Sequence, residues 1–159
     1  MAKRGQSPAP RQKVAQIEKT GKKLFFDANQ LFTAAWNPEG LAAGVIRRHK
    51  KLKLILITSA YTVEEARYNI GLKAPAPAQD ELEKILRWFD VIDVGVREDF
   101  NPLHLPPDDL PVFQGALASK ATHLITGDKK AFGSWFNRPE KTFGLVIQTL
   151  RMFVDEMEK

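Results

Sequence analysis

No cysteine occurs anywhere in these 159 residues. That absence removes disulfide staples, thiolate zinc sites and thiol nucleophiles together. Histidine is nearly as scarce. His49, His104 and His123 are the three, none stands at metal-ligand spacing from another, and surface or strand-end positions are expected for them. Any metal site must therefore be built from oxygen. No apolar run approaches the roughly 20 residues needed to span a bilayer. The opening Met1-Ala2-Lys3-Arg4-Gly5 lacks the apolar core of a secretory signal. A cytoplasmic protein without membrane contact is the expectation. Aromatics are 9% of the chain and fall mostly at helical spacing, which reads as core rather than as a strip for stacking bases.

What is present is a hydrophobic content of 43% and a charged content of 27%, the balance of a folded domain, in a chain long enough for one core. The basic charge is uneven. Residues 1–23 hold seven bases and one acid, whereas the remainder holds 17 bases and 18 acids. Residues 1–22 carry no usable apolar period, so a basic, mobile tail is expected there, followed by a domain over 23–159. Such an arm suits either a solvated extension or salt-dependent attraction to phosphate backbones.

Short apolar runs alternate with helical patterns. Strands are expected at 23–27, 52–58, 91–94 and 123–126, with a short edge strand near 143–147. Helices are expected at 28–36, 39–50, from Thr62 to the Ala74-Pro75-Ala76-Pro77-Ala78 break, at 80–89, at 108–121 and at the carboxyl end. Thr62 with Glu65 has the spacing of a capping box. The proline-bearing stretch 95–107 is a loop long enough to suspect function. Strands alternating with helices, without hairpin signals, predict right-handed crossovers and an α/β fold: a three-layer α/β/α sandwich around a mostly parallel sheet of four to five strands.

Two of the apolar runs stop abruptly on an acid, Leu24-Phe25-Phe26-Asp27 and Leu124-Ile125-Thr126-Gly127-Asp128. Ligands of open α/β sheets bind beyond the carboxyl ends of the strands, so both carboxylates are delivered to one crevice. Glu65, one to two turns into the helix after the second strand, can reach back over the same edge, whereas Glu64 points about 100° away. Asp108 and Asp109 open the helix before the fourth strand. One of them suits a cap and the other can project into the cleft. Each acid alone has a plain structural role as a cap or turn residue. Four from four segments at one edge repel, by roughly 1 to 4 kcal/mol per close pair, and a hard divalent cation, Mg²⁺ or Mn²⁺, is the partner their oxygens suit.

The segments KLFFDANQLFTAAW, LILITSAYTVEEARYNI, DDLPVFQGALASKATHLITGD and KTFGLVIQTLRMFV resemble, in order, the motif regions of PIN domains. These are metal-dependent ribonucleases, many of them toxins of bacterial toxin–antitoxin pairs. By this resemblance Asp27, Glu65, Asp109 and Asp128 fall on the family's metal-site acids. Asn29, Ser59 and Thr126 fall where small polar groups support them, with Asp108 as the neighbour of Asp109. Lys129 and Lys130 stand where some PIN proteins carry another acid. With Arg67 and the tail they are candidates to contact a phosphate backbone. The resemblance implies hydrolysis of single-stranded RNA by metal-activated water with a 5′-phosphate product. It further implies an antitoxin protein and a second copy of the chain as candidate partners.

Rival readings fit less well. A haloacid-dehalogenase-type phosphatase needs an aspartate two residues after the first, where this chain has Asn29. A response-regulator receiver needs an acidic pair at the first strand end and a lysine closing its last strand. The remaining alternative is a non-catalytic nucleic-acid-binding or protein-interaction module on a PIN-like fold.

Overall fold

The computed structural model describes residues 21–159, so the expected tail lies outside the described residues except at its last positions. Lys22, assigned to that tail from sequence, is instead the first residue of strand β1 (Lys22–Phe26). Leu24, Phe25 and Phe26 are all fully buried, as a central parallel strand covered on both faces requires. Helices α1 (Ala28–Trp36) and α2 (Leu41–Arg47) lead to strand β2 (Leu54–Ser59). Helices α3 (Ala60–Lys73) and α4 (Ala76–Leu86) lead to the short β3 (Asp90–Ile92). After a long connection come α5 (Leu110–Ala118), β4 (His123–Ile125), α6 (Lys129–Phe132), a 3₁₀ turn (Gly133–Trp135), β5 (Val146–Gln148) and α7 (Leu150–Met157).

All pairings are parallel, in the order β3-β2-β1-β4-β5. The chain builds outward from β1 through β2 to β3, then returns to lay β4 on the other flank of β1. The strand order therefore reverses at β1 and β4, and the crevice beyond their carboxyl ends is the place where such sheets bind ligands.

The pleat splits the core in two. Leu24, Phe26, Leu56 and Ile125 pack under α1, α2, α3, α4 and α7 through residues such as Leu31, Ile46, Ile70, Leu82 and Phe153. Phe25, Ile57, Leu124 and Ile147 meet Leu103, Leu105, Phe132 and the Val112, Phe113 and Ala116 face of α5. The result is the three-layer sandwich expected. Helix α5 lies close over β1 because Gly115 has no side chain; a Cβ there would come within 3.1 Å of the Phe25 ring. No helix among the described residues is long and apolar enough to cross a membrane.

Several boundaries differ from the sequence expectation for identifiable reasons. Helix α3 begins one turn before Thr62. Ser59 is its N-cap, accepting the Thr62 amide at 3.3 Å while the Thr62 hydroxyl takes the Ser59 amide at 3.0 Å. Glu65 is therefore no capping residue. The proline-rich break is shorter than expected, since Pro77 fits the first turn of α4, where its missing N–H is not needed. The last strand starts later because Phe143 and Gly144 adopt φ of 60° and 86°, a left-handed turn no strand can contain. His123 is a strand-end residue but a buried one.

Candidate active site

Asp27 directly follows β1 and caps α1. It is 5% exposed, and its two oxygens are committed separately: Oδ1 accepts the Ala28 amide at 2.7 Å and Oδ2 accepts the Thr126 hydroxyl at 2.8 Å. Burial pushes this carboxyl above its ordinary range. The Thr126 and Ala28 hydrogen bonds pull it back, and the charge of Asp128 adds to the rise. Asp27 is locked to β4 by its own amide, which donates to the Ile125 carbonyl at 3.0 Å.

Thr126, fully buried, is the hinge between the two acids. Its hydroxyl donates to Asp27 and accepts the Asp128 amide at 3.0 Å. Asp128 caps α6, taking the Ala131 amide on Oδ1 at 3.0 Å. Asn29 braces the same turn by accepting the Gly127 amide at 3.1 Å. The Thr126-Gly127-Asp128 turn is thus fastened to α1, and Gly127 leaves room for it; a Cβ there would lie 3.2 Å from Gln30 Nε2.

Asp109 occupies the N-cap position of α5, yet its side chain makes no capping bond; the Pro106 carbonyl accepts the Asp109 and Leu110 amides instead. Neither acid of the Asp108–Asp109 pair is the side-chain cap expected from sequence. The Asp109 carboxyl stands in hydrogen-bonding contact with Asp128. It is pushed up to about 7 by burial first, then by the Asp128 charge and that hydrogen bond, and then by Asp27 and Glu65. Glu65 is raised too, by burial and then by Asp27, Asp108 and Asp128. Asp27, Glu65 and Asp109 are thus each raised in part by acids of the same sheet edge, Asp128 among them in every case, which places the four within electrostatic reach of one another. Asp108 is exposed, and its backbone carbonyl accepts the Tyr61 hydroxyl at 3.1 Å. Ser59 acts on the cluster only through the start of α3.

Among the substrate-contact candidates, Lys129 and Lys130 are exposed beside Asp128 and enter no ion pair among the described residues. Arg67 differs. Its guanidinium grips Glu83 with two bonds of 3.0 and 2.9 Å and Glu64 with one of 2.9 Å, so a phosphate would have to displace two carboxylates. Sequence reasoning missed Tyr61. Its hydroxyl is raised by burial, then by Asp108, Glu65, Asp109 and Asp27, so it borders the cluster. Its place four residues before Glu65, on one face of α3, was the available signal.

No three His, Asp or Glu side chains among the described residues stand in a ready-made ligating cluster. The donor set still fits a hard divalent ion. It is all oxygen and clustered at one edge, and Mg²⁺ in particular takes only one or two carboxylates, keeps waters and accepts substrate phosphate. Burial first, and then mutual repulsion, raises three of these carboxyls, and a bound dication would oppose both.

A parallel sandwich with a carboxylate cluster at its topological switch point defines a recognisable class of protein. The sequence profile of the PIN domain matches residues 23–130, a span holding all four acids, and the chain belongs to the PIN-domain family. Among solved structures it is similar to VapBC2 from Rickettsia felis bound to a DNA fragment from their promoter. That likeness has a TM-score of 0.59 at 17% identity, covering 80% of this chain and 98% of that one. A weaker likeness, TM-score 0.48 at 11% identity over 71% of this chain and 95% of the other, is to VapC20 of Mycobacterium tuberculosis, a Sarcin-Ricin loop cleaving toxin. No curated protein matches.

Proposed function

We propose that this protein is a divalent-metal-dependent endoribonuclease acting on single-stranded RNA in the cytoplasm, as the toxin of a toxin–antitoxin pair. The observation that carries the reading is the gathering of Asp27, Glu65, Asp109 and Asp128 at the switch point of the sheet, where Asp128 helps to raise each of the other three. Asp27 and Asp128 would be the main ligands of Mg²⁺ or Mn²⁺, with Glu65 and Asp109 completing the shell or orienting water. When bound, the ion supplies neutralisation of phosphate oxygens and acidification of a water.

The chain's own residues do the rest. Thr126 and the Ala28 amide fix both oxygens of Asp27, so its carboxylate presents one orientation to the crevice. Asn29 and Thr126 hold the turn that aims Asp128. Lys129 and Lys130 offer cations to the backbone of an incoming strand.

The test is incubation with a labelled single-stranded RNA pool, with Mg²⁺, with Mn²⁺ and with chelator. Cleavage leaving 5′-phosphate ends, lost in chelator and reduced at least about 100-fold in Asp27→Asn, is the expected result. Cleavage indifferent to chelator or to that substitution would overturn the mechanism. Retention of RNA without any product would favour a non-catalytic binding module.

A further inference from the structure

The opposite edge of the sheet carries the inverse charge. From Gly40 to Val63 the chain contains no acidic residue, and Arg47, Arg48, His49, Lys50, Lys51 and Lys53 crowd the end of α2 and the turn that opens β2. The turn is rigid: the Leu54 amide donates to the His49 carbonyl at 2.8 Å and the Lys53 amide to the Lys50 carbonyl at 3.1 Å. Lys53 is held at a φ of 58°, a conformation unusual for lysine. Apart from half-buried His49, these side chains are exposed, and none joins an ion pair among the described residues.

Beside them Trp88, 42% exposed, lies against His49 with ring centroids 5.9 Å apart, and exposed Arg87 immediately precedes it. Lys22 opens β1 in register with Leu54 and so stands at this same edge.

We propose that this amino edge is a docking surface for single-stranded nucleic acid, separate from the carboxylate cluster and independent of whether that cluster cleaves. Exposed cations outside any ion pair suit a phosphate backbone. The Trp88–His49 pair supplies a π-face on which an unpaired base can stack. An anionic membrane is the weaker match: Leu52, the one aliphatic residue within the basic block, packs against the core and is not presented outward.

The experiment is fluorescence anisotropy of a labelled single-stranded RNA with the full chain in chelator, where cleavage does not interfere. Alongside wild type, the triple variant Lys50→Gln/Lys51→Gln/Lys53→Gln and the single variants Trp88→Ala and Trp88→Phe are measured. The triple variant is expected to bind roughly 10-fold more weakly, with a salt dependence shallower by about 2 in log–log slope, since each phosphate contact on a single strand contributes about 0.7. Trp88→Ala is expected to lose roughly 5- to 10-fold. RNA should quench wild-type tryptophan fluorescence and leave Trp88→Phe largely unquenched. Unchanged affinity and slope in the triple variant would overturn the proposal. So would retention of the quench in Trp88→Phe, or binding to phosphatidylserine vesicles that the triple substitution abolishes while RNA binding persists.

Discussion

The two ends of one sheet treat charge in opposite ways. At the carboxyl end the charges are acids, from buried Asp27 through half-buried Asp109 and Asp128 to exposed Glu65; hydrogen bonds brace Asp27 and Asp128, and burial with neighbouring acids raises Asp27, Glu65 and Asp109. At the amino end, from the close of α2 to the start of β2, they are bases, exposed and outside any ion pair among the described residues. The physical difference is solvent. Water screens like charges on a surface so that they cost little, whereas burial makes the same repulsion expensive. The acid edge is therefore a strained, preorganised site, and the basic edge is a diffuse field.

The comparison breaks most visibly at Thr126. Thr126→Val keeps the volume but leaves Asp27 Oδ2 and the Asp128 amide without the hydroxyl that joins them. A loss of about 1–3 kcal/mol in folding stability is expected for the unpaired buried groups. RNA cleavage should fall about 10- to 100-fold because both acids lose their bracing. Thr126→Ser should restore most of both. Chemical denaturation and cleavage rates check the two halves separately, and a Val variant of full activity would show that the acids hold their aim unaided.

His123 tests whether the amino end is uniformly tolerant. It is the buried titratable group there, at the start of β4, packed edge-on to Phe153 at 5.0 Å with Lys22 and Glu156 nearby. Burial, then the Lys22 charge, lowers it to about 4 from 6.5, against a smaller opposing pull from Glu156. The folded state therefore resists a proton the unfolded chain accepts. Stability is unaffected above pH 6.5, falls as pH drops toward 4, and loses no more from this residue below that. The loss should be about 1–2 kcal/mol after allowing for solvent screening. The difference between wild type and His123→Gln across pH 7 to 4 isolates it, and parallel curves would refute it.

How much of this was legible in the sequence follows the same divide. The acids at strand ends were readable because an apolar run stopping on Asp27 or Asp128 fixes both the strand and its exit. The sandwich followed from the alternation of strands and helices. What misled was local chemistry with two solutions. Thr62 and Glu65 match a capping box, yet Ser59 and Thr62 make a real one a turn earlier, because β2 continues to Ser59 and delivers it to the cap position. Arg67 reads as a free cation until α4 brings Glu83, sixteen residues on, against it. Tyr61 could be placed on the face of Glu65 by periodicity, but its reach toward Asp108 depends on how α3 packs beside the start of α5.

A smaller effect sharpens the contrast from the acid side. Asp109→Asn removes one of four mutually repelling carboxyls without removing a cap bond, since its side chain makes none. In chelator this variant should be more stable than wild type by about 1 kcal/mol, the reverse of most substitutions at partly buried positions. A drop in melting temperature would mean that its contact with Asp128 stabilises more than the repulsion costs.

The smallest expected effect is at the other edge and is informative for that reason. Neutralising Lys50, Lys51 and Lys53 together should leave folding stability within about 0.5 kcal/mol of wild type, since exposed charges without ion pairs contribute little. Added salt sharpens the test. Raising sodium chloride from low to about 1 M shortens the screening length to about 3 Å. In chelator it should stabilise wild type through the acid cluster, and the triple lysine variant by nearly the same increment. Asp109→Asn should gain less. If the lysine variant instead lost the salt response, repulsion at the amino edge would be the strain in this fold, and the acid cluster would be the relaxed end of the sheet.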